Sequence, residues 1–341
     1  RTLSAALFAG SGAGLAVSSK FSALPILAAP VVAGILIWFD PAQLRDDDEH
    51  GFRNSEGRAQ LRALLGVPLA LIVAVVVFAV TSPYAILDAK NFLQATLVEQ
   101  GRMVRGIADM PFTRQYRNTP PYLYFIQQQL EWGMGYPLGS VASLGALWAV
   151  VQLGIAGVKF LLLLGTGNPR WQLSKLEVGT LIVWSWVLPY FGLTGAFLAK
   201  FNRYMSPVLP FWVLWGAGLV GLLWNLGKKD RKTGRQEDKD RQEFVSPSSP
   251  LLVFLSKGLA TILAVVGLAG GLFWGAAYVN GVYRQPHPWI TAGQWMAKNI
   301  PAGSVILWEQ WDDRLPFIGG WNDPDVIMAQ SQWNFTDWGP Y

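Results

Sequence analysis

The sequence predicts an all-α polytopic membrane protein of about seven transmembrane helices, followed by a small α/β segment. Seven long apolar runs occupy residues 2–17, 21–39, 64–81, 137–164, 176–197, 204–226 and 250–279. Most of them are near the roughly 20 residues that a helix needs to cross a bilayer core. Because the runs are continuous, they lack the two-residue alternation of a transmembrane barrel. Helices are therefore the predicted spans.

The composition supports this class and excludes several kinds of site. Hydrophobic residues make up 52% of the chain and charged residues 14%, whereas about 25% charged is usual in soluble domains. The 17 Trp residues are typical of rings that anchor helices at the headgroups. No Cys is present, which excludes disulfides and Cys-ligated metals. The two His residues are far apart, so we expect no multi-His metal centre. No residue indicates a cofactor or a metal site, and dependence on a divalent metal stays open.

The positive charges predict which loops face the cytoplasm. Loop 227–249 holds seven Lys or Arg residues, and the positive-inside rule places it there. Counting back through the helices also makes loops 40–63 and 165–175 cytoplasmic. The opposite side then receives the turn at 18–20, the segment 82–136, the turn 198–203 and the tail. Basic residues that flank the membrane explain the net charge of +5, so we expect no nucleic-acid partner.

This topology divides the chain into two predicted domains. Residues 1–280 form the transmembrane helical domain, and residues 281–341 form an extracytoplasmic α/β segment. In that segment 289–299 is predicted as a helix, 301–303 as a turn and 304–308 as a strand. Asp312 and Asp313 follow the strand, and surface carboxylates are favoured there over metal ligands. The acidic run 46–49 is likewise interpreted as a solvated loop.

Three cations lie in very short turns on the predicted outer side, where cations are normally depleted. They are Lys20, Lys200 and Arg203. Two explanations stay open. The side chains snorkel from helix ends, or they neutralise a lipid phosphate at the outer surface.

The long outer segment contains further candidate residues. Residues 84–105 are predicted to form an amphipathic helix in the membrane plane, which would place Asp88 over the mouth of the helix bundle. The Pro-rich loop 109–124 follows it. There Arg114 suits bidentate contact with a phosphate, and Tyr116 suits stacking on a sugar. An interfacial helix and an aromatic belt are the purely structural alternatives.

Several blocks resemble a known family. They are residues 14–25, Ser-Pro-Tyr-Ala-Ile-Leu-Asp (82–88), Thr-Arg-Gln-Tyr (113–116), Lys-Phe-Asn-Arg-Tyr-Met-Ser-Pro-Val-Leu-Pro (200–210) and residues 295–313. The chain resembles polytopic GT-C glycosyltransferases (family 39-like) that depend on dolichyl- or undecaprenyl-phosphate sugars. Protein O-mannosyltransferases and aminoarabinose transferases are of this kind. The resemblance implies a multi-pass enzyme of a bacterial or archaeal plasma membrane, with its active site facing outside.

The resemblance also implies a mechanism and a set of roles. A polyprenyl-phosphate-linked sugar within the membrane lipids is the donor, and transfer to the acceptor inverts the anomeric carbon. The catalytic Asp of such enzymes lies in a first outer loop, which we expect upstream of this chain in a longer protein. The donor phosphate would be bound by Lys20, Lys200 and Arg203. The sugar or acceptor cavity would be lined by Tyr84, Asp88, Arg114, Tyr116 and Tyr204.

Two other classes of function stay open. A transporter or flippase of lipid-linked substrates would need ionisable groups in mid-membrane and matched halves. Neither is apparent in the sequence. A non-catalytic membrane scaffold subunit predicts that replacing Lys200 and Arg203 leaves every glycan product unchanged.

Overall fold

The computed structural model describes residues 2–39, 54–226, 250–308, 325, 328 and 331–337. Three features predicted from the sequence lie outside the described residues. They are the basic loop 227–249, the acidic run 46–49 and the pair Asp312 and Asp313.

The described residues are almost entirely helical. In chain order the α-helices are α1 (Thr2–Ser19), α2 (Ala28–Phe39), α3 (Asn54–Thr81), α4 (Tyr84–Leu87), α5 (Ala89–Leu93), α6 (Gln100–Val104), α7 (Leu123–Gln128), α8 (Gly135–Thr166), α9 (Lys175–Gly195), α10 (Leu209–Asn225), α11 (Pro250–Tyr278) and α12 (Pro288–Asn299). Tighter 3₁₀ turns occupy Phe21–Leu27, Pro111–Tyr116, Pro169–Trp171 and Asn202–Met205. Wider π turns occupy Gln94–Glu99, Gln129–Gly133 and Val279–Tyr283.

Within the described residues, five stretches are long and apolar enough to cross a membrane. They are Phe21–Phe39, Leu64–Thr81, Gly135–Thr166, Lys175–Gly195 and Leu251–Asn299. The other two predicted runs are also helical, but Ser4–Ser19 and Leu209–Asn225 are shorter. The helical nature of the seven runs is confirmed, while the count of seven spans stays a prediction.

The outer surfaces of these helices are apolar. Val80 on α3 is 74% exposed, and Leu268 and Phe273 on α11 are 70% and 71% exposed. Water-soluble monomers rarely expose contiguous apolar patches larger than a few hundred Å². A hydrocarbon environment removes the cost of exposing such side chains, so the surface agrees with the candidate spans.

Small residues set the close contacts between helices. On α1, a Cβ at Gly14 would lie 2.6 Å from the carbonyl oxygen of Ala74 on α3. On α8, a Cβ at Gly145 would overlap the backbone of Gly216 on α10. Such packing is typical of helices in lipid, where dispersion contacts rather than the hydrophobic effect hold helices together.

The turns and loops that the sequence placed on one side of the membrane contact one another. Ser18 and Ser82 are joined by a hydrogen bond of 2.7 Å between their hydroxyls. The backbone N–H of Leu198 donates to the carbonyl of Val104 over 2.8 Å. We call this region, residues 18–28, 82–134 and 195–208, the loop end. These contacts place the three segments at one end of the bundle, while their assignment to the outer side of the membrane stays a prediction.

The single amphipathic helix predicted over 84–105 is wrong in detail. The helical path breaks at Asp88, whose φ of −129° and ψ of 50° lie outside the helical region. Its carboxylate accepts a hydrogen bond of 3.0 Å from the Asn91 amide. Asp competes with helical hydrogen bonding through such local contacts. A π turn then separates α5 from α6.

Contacts divide the chain into one unit of residues 1–271 and a second of residues 272–341. By contacts the division falls within α11, and the domain boundary at residue 280 stays a prediction. In the second unit, α12 leads through a turn at Gly303, with φ of +81°, into β1 (Val305–Trp308). β1 pairs in parallel with β2 (Asn334–Asp337). The predicted helix, turn and strand of this segment are confirmed.

Candidate functional site

A cavity of about 1050 Å³ lies between the loop end and the last turns of α9. Its walls come from residues 20–28, 96–105 and 189–204, and most of the lining side chains are apolar. Among the described residues, the charged groups in the lining are Lys20 and Arg105, and both are cations. The lining therefore suits a ligand that combines a long apolar part with an anionic group.

Irregular helical segments build these walls. Pro25 lies within the 3₁₀ turn after α1, and Pro189 lies within α9. Proline removes a backbone donor and interrupts the regular ladder of helical hydrogen bonds. On the facing side, Thr96 and Leu97 come from a π turn, a distortion that is frequent at functional sites.

Lys20 stands at the junction of α1 and the following 3₁₀ turn. Its backbone is extended, with φ of −155° and ψ of 108°, so the side chain leaves the helix path. The ammonium lies 4.6 Å from the centre of the Tyr204 ring and donates to the Tyr190 hydroxyl over 3.4 Å. Burial, and to a smaller extent the charge of Arg203, lower the pKa of Lys20.

Arg203 is exposed, and its guanidinium carbon lies 4.6 Å from the centre of the Phe201 ring. Arg203 is adjacent in sequence to Tyr204, which lines the cavity and whose ring lies beneath the Lys20 ammonium, and the charge of Arg203 contributes to the lowered pKa of Lys20. The two like charges are therefore close enough to interact. We call Lys20 and Arg203 the cationic pair.

An aromatic cluster fixes the turn that carries Arg203. The ring of Phe201 packs edge-on against Tyr116 and Tyr204, with centroids 5.5 Å apart in both cases, and Tyr116 packs against Tyr124 at 5.8 Å. Edge-to-face pairs stabilise such clusters beyond their buried area. Burial raises the pKa of Tyr116, Tyr124 and Tyr204, so their hydroxyls stay protonated at neutral pH.

Lys200 is 2% exposed and does not line the cavity. Its ammonium donates to the carbonyl of Leu198 over 3.2 Å, and burial lowers its pKa. Keeping an amine buried without a carboxylate partner is costly. Such a group is more typical of a functional region than of a structural contact.

The other predicted site residues lie away from the cavity. Arg114 contacts Asp109 at 3.1 Å, and Arg117 contacts the same carboxylate oxygen at 2.8 Å. The hydrogen bond from Arg114 holds the pKa of Asp109 below its usual range. Tyr84 is 76% exposed, and Asp88 is also exposed. The structure thus brings together Lys20, Arg203, Tyr116 and Tyr204, and leaves Tyr84, Asp88 and Arg114 outside.

The basic side chains differ in whether they have a carboxylate partner. Within the described part of the chain, Arg114 and Arg117 share an ion pair with the one carboxylate of Asp109 and Lys159 pairs with Glu177, but no ion pair forms with Lys20, Lys200 or Arg203. The described residues also contain no group of three or more side chains that could hold a metal ion. The site therefore presents uncompensated positive charge to a ligand.

Two residues of this region were missed by the sequence analysis. Arg105 lines the cavity from the end of α6, and its Nε donates to the carbonyl of Gly101 over 2.8 Å. Tyr190 lies within the apolar run 176–197. Its hydroxyl, a polar group in an apolar run, is the feature that could have singled it out. The partners of that hydroxyl come from distant parts of the chain.

Comparison of the chain with protein-family models, with curated proteins and with solved structures finds no match. Fold and site define its class only at a coarse level. Over the residues that the structure describes, it is a helical protein with five helices long and apolar enough to span a membrane, and with an apolar cavity whose lining includes the cations Lys20 and Arg105. The glycosyltransferase resemblance stays a prediction.

Proposed function

We propose that this chain belongs to a glycosyltransferase of a bacterial or archaeal plasma membrane. It takes a sugar from a polyprenyl-phosphate donor and transfers it, with inversion, to an acceptor at the extracytoplasmic face. The observation that carries the proposal is the cationic pair beside an apolar cavity of about 1050 Å³. The transfer step itself rests on the resemblance of the sequence blocks.

The two parts of the site match the two parts of such a donor. A polyprenyl chain is apolar and occupies the space beside Leu24, Leu97 and Phe197. Its phosphate is anionic and suits the cationic pair, because hydrogen bonds between ionised groups are about twice as strong as neutral ones. In sugar transfer, an acceptor hydroxyl or amine attacks the anomeric carbon, and the bond from that carbon to the phosphate oxygen breaks.

The proposed role of the cationic pair follows from this bond change. The electron pair of the broken bond leaves with the phosphate, and the acceptor proton passes to a base. Lys20 and Arg203 would stabilise the charge that develops on the phosphate, an effect that is large where water is excluded. No carboxylate occurs in the described lining of the cavity, so we assign the donor-phosphate side here and leave the base unassigned.

A transfer assay tests this proposal. Membranes containing the full-length protein receive radiolabelled undecaprenyl-phosphate sugars, and wild type is compared with Arg203→Ala and Arg117→Ala. We expect Arg203→Ala to lose transfer and Arg117→Ala to keep it, because Arg117 is ion-paired with Asp109 and does not line the cavity. Equal transfer by all three proteins would refute the phosphate role. A wild type that moves the intact donor across the bilayer without consuming it would favour a transporter or flippase.

A further inference from the structure

We infer that Tyr190 is a positioning residue that holds Lys20 and Tyr204 in one arrangement at the cavity wall. The inference rests on the proposed phosphate site, because it concerns how that site is ordered. Tyr190 itself does not line the cavity. It therefore acts through the two residues that do.

The contacts of the Tyr190 hydroxyl carry this inference. The side chain is 0% exposed and lies near the end of α9. Its hydroxyl donates to the backbone carbonyl of Tyr204 over 2.6 Å and accepts from the Lys20 ammonium over 3.4 Å. One oxygen atom thus joins α9 to Lys20, 170 positions away in sequence, and to the turn of Tyr204, 14 positions away.

The same three residues close a ring of contacts. The Lys20 ammonium also lies above the ring of Tyr204, 4.6 Å from its centre. Arg203, next to Tyr204, is the other charged group that acts on Lys20. Without the Tyr190 hydroxyl, the ammonium keeps the repulsion from Arg203 and loses a neutral acceptor.

Packing alone does not account for a tyrosine at this position. The ring packs against Trp186 with centroids 5.4 Å apart, and a phenylalanine ring would fill the same space. A buried hydroxyl is costly unless it is hydrogen-bonded. What distinguishes Tyr190 from Phe is therefore its hydroxyl, which contacts the Lys20 ammonium and the Tyr204 carbonyl. The hydroxyl also lies beside the Ser22 side chain.

The first test reports on Lys20 without any ligand. The full-length protein is labelled with an amine-reactive reagent over a range of pH, and the modification of Lys20 is measured by mass spectrometry. In Tyr190→Phe we expect Lys20 to react about three- to tenfold faster at a given pH, because its charged form has lost an acceptor. Exposed Lys90 serves as the internal reference. Tyr124→Phe is the matched control, since the Tyr124 hydroxyl makes no hydrogen bond to another described residue.

The second test measures binding of undecaprenyl phosphate in a double-mutant cycle of Tyr190→Phe and Lys20→Met. If Tyr190 acts through Lys20, its substitution weakens binding in wild type and has no further effect once Lys20 is replaced. Unchanged Lys20 labelling, or effects of the two substitutions that multiply, would overturn the inference. Altered labelling in a protein that binds no lipid phosphate would uphold the positioning role and refute the proposed function.

Discussion

Lys20 is the member of the cationic pair that lies in the cavity wall. The substitution Lys20→Met removes its charge. Met has a similar length and is flexible, so it keeps the contact above the Tyr204 ring without the positive charge. A hydrogen bond to a charged group contributes about 1.5–3 kcal/mol. Lys20 is half-buried and the neighbouring Arg203 remains, so we take the lower part of that range, about 1.5–2 kcal/mol. This corresponds to a loss of affinity of about 10- to 30-fold.

The assay is equilibrium binding of radiolabelled undecaprenyl phosphate to the purified full-length protein. Lys90→Met is the matched control, because Lys90 is exposed and does not line the cavity. We expect the Kd to rise by the stated factor for Lys20→Met and to stay within twofold for Lys90→Met. The reasoning is refuted if both variants bind as tightly as wild type.

Three further predictions concern pH, a second cation and the fold. Burial and the charge of Arg203 lower the pKa of Lys20 below the ordinary 10.5. Lys20 is therefore charged, and binds the lipid phosphate, at pH values below this lowered pKa. The affinity for undecaprenyl phosphate falls as the pH rises through the lowered pKa. A Kd that stays constant up to and beyond pH 10.5 would contradict this prediction. Arg105→Ala weakens binding about tenfold, by the loss of one charged contact, whereas Arg102→Ala, on the same helix but outside the cavity, does not. Gly145→Leu forces α8 away from α10 and costs about 2 kcal/mol or more, seen as a lower thermal midpoint. Gly154→Leu, where a Cβ meets no atom within 4 Å, leaves the midpoint nearly unchanged.

The fold was largely predictable because the bilayer limits the possible structures. An apolar run of sufficient length must satisfy its backbone internally, so its helical nature follows from composition. The alternation of short turns then places Lys20 and Arg203 at one end of the bundle. Their unusual position in short turns on the predicted outer side was the signal that singled them out, and the structure puts Lys20 in the cavity wall and Arg203 next to the lining residue Tyr204.

The rest of the site depends on contacts that composition does not encode. Arg114 appeared suited to a phosphate, but it forms an ion pair with Asp109, five positions earlier. Asp88 breaks the predicted helix through a local hydrogen bond to Asn91. Tyr190 looked like one more apolar position, because the partners of its hydroxyl lie 170 and 14 positions away in sequence.

Photoaffinity labelling tests the central claim most directly. A polyprenyl phosphate that carries a diazirine near the phosphate is activated on the full-length protein, and the labelled peptides are identified by mass spectrometry. We predict labelling of residues 20–28, 96–105 and 189–204, which form the cavity walls, and competition by unlabelled undecaprenyl phosphate. Labelling spread over the exposed apolar surface of α11, with no competition, would contradict the account.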